Sequence, residues 1–192
     1  ITITTDDLQM ADDATINTGG LPLTDSSGPS GSGGQIRIQT HSLTMRDTAL
    51  IFSGTFTAGN GGAIQIDADD LTLAGRSAIA ATTFSSGRGG KVGLHIHHTF
   101  SLRDDAVIAS GTEGRGVGGG ILIRAPRLEM GNAAHISSAS EDSNSFTSEV
   151  RLRLDLAAQR GAQVGEEIFA GGGEPGTVSL ETDNLSLTTG MR

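Results

Sequence analysis

The side chains best suited to chemistry lie in one short run, His95-Ile96-His97-His98. On an extended strand His95 and His97 share a face about 7 Å apart, a spacing that suits a transition-metal ion bound through imidazole. No carboxylate or cysteine beside them in sequence completes a ligand set. The histidines are therefore read as solvent-facing strand residues, and no metal or cofactor is assigned. Acidic pairs recur at Asp6-Asp7, Asp12-Asp13, Asp69-Asp70 and Asp104-Asp105. Paired carboxylates can serve in acid–base work or hold calcium. These pairs fall at two repeated offsets, before a strand or in the following corner, where turn chemistry accounts for them.

The glycine string Gly114-Arg115-Gly116-Val117-Gly118-Gly119-Gly120 is followed by the strand-like Ile121-Leu122-Ile123. A phosphate loop needs a helix N-terminus there, so that reading is set aside. Carbohydrate-processing chemistry calls for a catalytic charged cluster in a groove, usually with aromatics against the sugar. The chain has no Trp or Tyr, and its six Phe include Phe52, Phe56, Phe84 and Phe146 in or near loop stretches. They are expected to form at most a small exposed apolar strip. No catalytic residue is named, and the chain is read as a non-enzyme.

Composition narrows the partners. Acidic residues number 22 against 13 basic ones, for a formal charge of −9. That balance argues against nucleic acid and against anionic membrane surfaces. No apolar run approaches the length of a membrane span, and no signal-like segment opens the sequence. The absence of cysteine suits an exported chain that crosses a membrane unfolded. The 29 glycines and 35% apolar content fit thin stacked layers better than a thick globular core.

What positions the candidate residues is a repeat. Gly33-Gly34-Gln35-Ile36-Arg37-Ile38 returns as Gly61-Gly62-Ala63-Ile64-Gln65-Ile66 and Gly89-Gly90-Lys91-Val92-Gly93-Leu94. Units begin at Ile1, Ile36, Ile64, Val92, Ile121, Val150 and Val178. The regular units have an aliphatic pair two residues apart, a second pair seven and nine residues on, and a third aliphatic six residues later. The sixth lacks a clean second pair, and the seventh stops before a third strand. The fourth unit carries one extra residue, beside the histidines. Period-two alternation makes each segment a half-buried strand.

The expected fold is all-β: a right-handed parallel β-helix of about seven coils with three short strands per coil, one sheet on each of three faces. The Gly-Gly steps are expected to supply positive φ, and Asp12, Asp47, Asp104 and Asn132 to share one corner. Residues 1–192 form a single segment, with regular coils over 1–140, an irregular coil and loop over 141–177 and a partial coil over 178–192. Both ends read as uncapped, which points to a piece of a longer stack or a unit that stacks end to end.

The pattern GGxIxIxAxxLxLxxxAxIxxxTxGxGxGG, carried by Gly61-Gly62-Ala63-Ile64-Gln65-Ile66-Asp67-Ala68-Asp69-Asp70-Leu71-Thr72-Leu73 and on through Ile79 to Gly90, resembles the repeat region of filamentous-haemagglutinin-type bacterial exoproteins exported by two-partner secretion. The resemblance covers residues 1–140 well, 141–177 poorly, and resumes at Val178. It implies a secreted adhesin or filament segment at the bacterial outer surface and carries over no site residues. Its implied partners are further coils of the same protein or identical chains, end to end, and a host or neighbouring-cell glycan or protein. Variable contacts are expected in the loops Leu21 to Ser32, Phe52 to Gly59 and Glu141 to Ser148. The alternatives are a carbohydrate-binding or carbohydrate-active β-helix and a self-stacking filament unit.

Overall fold

The computed structural model describes residues 1–19, 31–112, 116–138 and 176–188. Among them there is no helix. The strands are β1 (Thr2–Thr4), β2 (Asp7–Met10), β3 (Thr15–Asn17), β4 (Gln35–Met45), β5 (Leu50–Phe52), β6 (Ala63–Leu73) and β7 (Ala78–Ala80). They continue as β8 (Lys91–Leu102), β9 (Val107–Ala109), β10 (Gly120–Arg124), β11 (Arg127–Gly131), β12 (His135–Ser137), β13 (Thr177–Glu181) and β14 (Asn184–Thr188).

All pairing among the described strands is parallel, and the register follows the repeat. Ile36 lies opposite Ile64, and Ile64 opposite Val92; Leu43 lies opposite Leu71, and Leu71 opposite Phe100. Ile16, Ile51, Ile79, Ile108 and Ile136 form another such row. Equivalent residues of successive units thus sit side by side, and their side chains fuse into continuous apolar columns. Ile36, Ile51, Ile64, Leu71, Ile79, Phe100 and Ile108 have no exposed surface to within 1%. Full burial of one such side chain stabilises by roughly 1.5–3 kcal/mol.

Two parallel sheets result, of nine and five strands. This corrects the expected right-handed parallel β-helix with three strands per coil, which needs a third sheet. The reason is visible at the junction between the first and second aliphatic pairs. In β4, β6 and β8 the backbone stays paired across that junction, because Ala68 and Ile96 turn inward and continue the buried face. The two segments therefore belong to one long strand and one sheet. The inward alternation changes phase once, from Thr40 to Leu43 and from Ala68 to Leu71, so two successive residues lie between inward positions there. In the fifth unit Pro126, which has no N–H to donate, separates β10 from β11.

The last described rows pair directly: Ile121 lies opposite Val178, and Leu128 opposite Leu185. The unit expected to begin at Val150 falls outside the described residues. Residues 139–175, which include that stretch and the loop at Glu141 to Ser148, lie outside the described residues, as do residues 21–30 of the loop at Leu21 to Ser32.

Glycine acts differently from expectation. The paired glycines ahead of the long strands do not take positive φ. They permit close approach instead: a Cβ on Gly62 would collide with the Ser53 hydroxyl and the Gly34 carbonyl, and one on Gly90 with the Gly62 carbonyl. A seam that joins the sheets runs through the same place. Gly62, Gly90, Gly119 and Gly176 donate to the carbonyls of Ser53, Ala81, Ser110 and Ser138 at 2.7–3.1 Å. The buried Ser53, Ser110 and Ser138 hydroxyls donate back to Gly34, Gly90 and Gly119 carbonyls at 2.6–2.7 Å. Positive φ belongs to the other corner, where Asp12, Asp47, Asp104 and Asn132 lie between +53° and +60° and Gly75 completes the row at +64°. Short polar residues tolerate that left-handed region best among non-glycines.

Ile66 is 2% exposed, while its neighbour Gln65 faces outward. Ile66→Asp buries a carboxylate without a partner and is expected to cost more than about 4 kcal/mol, enough to abolish folding. Gln65→Asp is expected to shift thermal unfolding by no more than a few degrees. Far-UV circular dichroism and a melting curve on both variants check this pair of outcomes.

Candidate functional site

Outward positions on the long strands form rows across the nine-stranded sheet. One row runs Arg37, Gln65, Gly93, Leu122 and Ser179. Gly93 contributes no side chain, and a shallow depression of about 350 Å³ opens there between Gln65 and Leu122. The next row runs Gln39, Asp67, His95, Arg124 and Glu181, so charges of opposite sign stand side by side. Arg124 grips Glu181 through Nε–Oε2 at 2.6 Å and Nη2–Oε1 at 3.3 Å. That bond holds the Glu181 carboxyl below its usual range.

The fourth unit's extra residue creates a β-bulge. Ala68 pairs with Ile96 and Asp70 with Thr99, leaving His97 and His98 together opposite Asp69. A bulge re-aims the side chains it carries. The Thr99 amide that follows it finds Asp70 Oδ1 at 3.1 Å. His98 Nδ1 stands 3.8 Å from Asp70 Oδ2, and His97 swings toward Asp67.

Three side chains therefore converge. His97 Nε2 lies 3.0 Å from Asp67 Oδ1, and His95 Nδ1 lies 3.3 Å from Asp67 Oδ2. The two imidazole rings are tilted by 53° with centroids 4.5 Å apart. One ligand atom from each residue lies within 4.8 Å of the other two, and all three residues are exposed. The hydrogen bond with His97 is the largest influence on Asp67, whose carboxyl titrates below its ordinary value; partial desolvation opposes it. On the neighbouring row, His41 Nδ1 meets Asp69 Oδ2 at 2.7 Å. That hydrogen bond, with the charge of Asp69, raises His41 above its ordinary 6.5, and the same bond lowers Asp69.

His95 and His97, singled out in sequence, are thus brought together with a carboxylate that local sequence did not supply. Asp67 was missed because it comes from the preceding unit. The signal was available: counting back one repeat from His95 lands on Asp67. Of the acidic pairs, Asp6-Asp7 leads into β2, where the Asp6 carbonyl accepts from the His41 and Ser42 amides, and the others fall in two settings. Asp12, Asp104 and Asp105 serve the positive-φ corner, while Asp69 and Asp70 face histidines. Phe56 and Phe84 form the exposed strip, stacked at 4.4 Å and each 37% exposed, while Phe52, against both rings, is buried. Phe146 lies outside the described residues.

The His41–Asp69 pair has a definite pH window. His41 is raised, so its contribution is complete below the ordinary histidine value and fades as pH rises through the raised one. Asp69 is lowered, so its contribution is complete above the ordinary carboxyl value and fades as pH falls through the lowered one. Between roughly pH 4 and 6.5 both act. In an NMR titration His41 is expected to show a midpoint above 6.5, returning toward it in Asp69→Asn. A midpoint unmoved by that substitution would contradict the pairing.

Among the described residues no helix is long and apolar enough to cross a membrane. Comparison of the chain with protein-family models, curated proteins and solved structures found no match.

Proposed function

We propose that this chain is a non-catalytic structural segment of a large secreted bacterial surface protein, a rigid stalk that holds a binding region away from the cell. The observation that carries this reading is the pairing of each long strand with its copy in the next unit. Pulling such a chain lengthwise must break backbone ladders and expose buried columns one unit at a time. The polar side chains of the rows described above lie on open faces, and neither depression beside them is enclosed. The resemblance to filamentous-haemagglutinin-type repeats supports an extracellular setting and a role in adhesion. The outermost rows of the nine-stranded sheet, β1 and β13, have one ladder partner each among the described strands. Such edges accept further units of the same protein or of an identical chain.

A glycan-binding reading rests on the exposed Phe56 and Phe84 pair. The apolar ring surface that this face-to-face stacking leaves exposed is what a sugar would cover, and the pair lies in the Phe52 to Gly59 loop and its counterpart one unit on.

Force spectroscopy between the two ends tests the leading reading. It is expected to give successive ruptures, each releasing one unit, or roughly 9–10 nm of chain at about 3.4 Å per residue. Smooth low-force extension would contradict a load-bearing role. A glycan array with a reducing-end release assay separates the alternatives. Release of reducing ends would replace the structural reading with an enzymatic one. Retention on the array lost in Phe56→Ala and Phe84→Ala would favour the binding module.

A further inference from the structure

We infer that Asp67, His95 and His97 form a binding site for a divalent transition-metal ion of the zinc class. Ligand atoms on a tetrahedral or octahedral ion at about 2.0–2.1 Å stand roughly 3.0–3.4 Å apart. Two distances fall in that range, one to each carboxylate oxygen: His97 Nε2 to Asp67 Oδ1 at 3.0 Å and His95 Nδ1 to Asp67 Oδ2 at 3.3 Å. The two ring nitrogens lie within 4.8 Å of each other. Both histidines therefore already direct a ring nitrogen at the carboxylate, His95 from directly opposite Asp67 and His97 from the bulge two residues on.

Donor chemistry selects the ion. Calcium takes six to eight oxygen ligands, and a lone carboxylate here cannot supply them. Two imidazoles and one carboxylate suit zinc, copper or nickel, and three protein ligands leave room for water on the open side. The surroundings are compatible with a cation. Arg124 is the cross-strand neighbour of His95, but its guanidinium is held by Glu181. Asp69, Asp70 and Asp183 add negative charge nearby, Asp183 from the groove that His95 and His97 also line. A bound ion would bridge β6 and β8, tying the third unit to the fourth at the bulge, where the ladder is interrupted.

The test uses the full chain freed of any affinity tag, titrated with zinc chloride by calorimetry and melted with and without the ion. One equivalent is expected to bind, with melting raised by the ion as linkage requires. His95→Ala, His97→Ala and Asp67→Asn are each expected to weaken binding by about tenfold or more and to erase the rise in melting temperature. His41→Ala, which removes an exposed histidine outside the set, is expected to leave both unchanged. Because all the substituted side chains are exposed, unchanged circular dichroism is expected throughout. Cobalt substituted for zinc gives a second readout, through visible absorption that disappears in His97→Ala. No binding by the native chain, or equal loss in His41→Ala and His97→Ala, overturns the inference.

Discussion

Strand amides among the described residues find their partners in the neighbouring row, and the other structural features follow from that constraint. The Ala63 amide bonds the Gly34 carbonyl, Lys91 bonds Gly62, and Ala78 bonds Ala49, all at 2.9 Å. A unit on its own has no such partners. It must order its backbone at roughly 1–2 kcal/mol per residue while burying only a few aliphatics, so its stability comes from neighbours. Register is held by the columns: a slip of one residue turns every buried Ile and Leu outward. The glycine pairs serve the same constraint, because backbones at the seam approach too closely for a Cβ.

A repeat held this firmly makes any departure from it consequential. The single inserted residue of the fourth unit does not propagate: pairing resumes at Asp70 and Thr99, and Phe100 stays opposite Leu71. Its whole effect falls on His97 and His98, which leave the regular alternation and face the carboxylates of the previous unit. The register then supplies what sequence proximity does not, by placing Asp67 beside His95. Structural duty and ligand chemistry coexist here because the inward side chains carry the packing. Ile96 is 1% exposed between two histidines that face solvent.

Much of the fold was legible in sequence because it is written in period-two alternation and in a fixed spacing. The aliphatic columns, the parallel pairing and the Asp/Asn corner were all visible that way. The number of sheets was not. Whether two strands merge depends on the backbone between them: pairing runs on through Ala68 and Ile96 in the long strands, while the strands part at Thr5-Asp6, Ala125-Pro126 and Thr182-Asp183. The direct neighbourhood of Ile121 and Val178 was equally hidden, since even spacing makes Val150 look like the next row. The purpose of the glycine pairs was misread because close approach and positive φ leave the same residue in the sequence. Of the three side chains that converge, His95 and His97 were weighed from local spacing and read as solvent-facing, and Asp67 required counting across the repeat.

The central claim is that equivalent residues of successive rows are hydrogen-bonded in parallel register, including across residues 139–175. Scalar couplings through hydrogen bonds, measured by NMR between amide nitrogens and carbonyl carbons, test it atom by atom. Correlations are expected from Lys91 N to Gly62, from Gly120 N to Gly90 and, above all, from Thr177 N to the Gly119 carbonyl. Correlations confined within single units, or a Thr177 amide coupled to a carbonyl near Val150, would contradict the account.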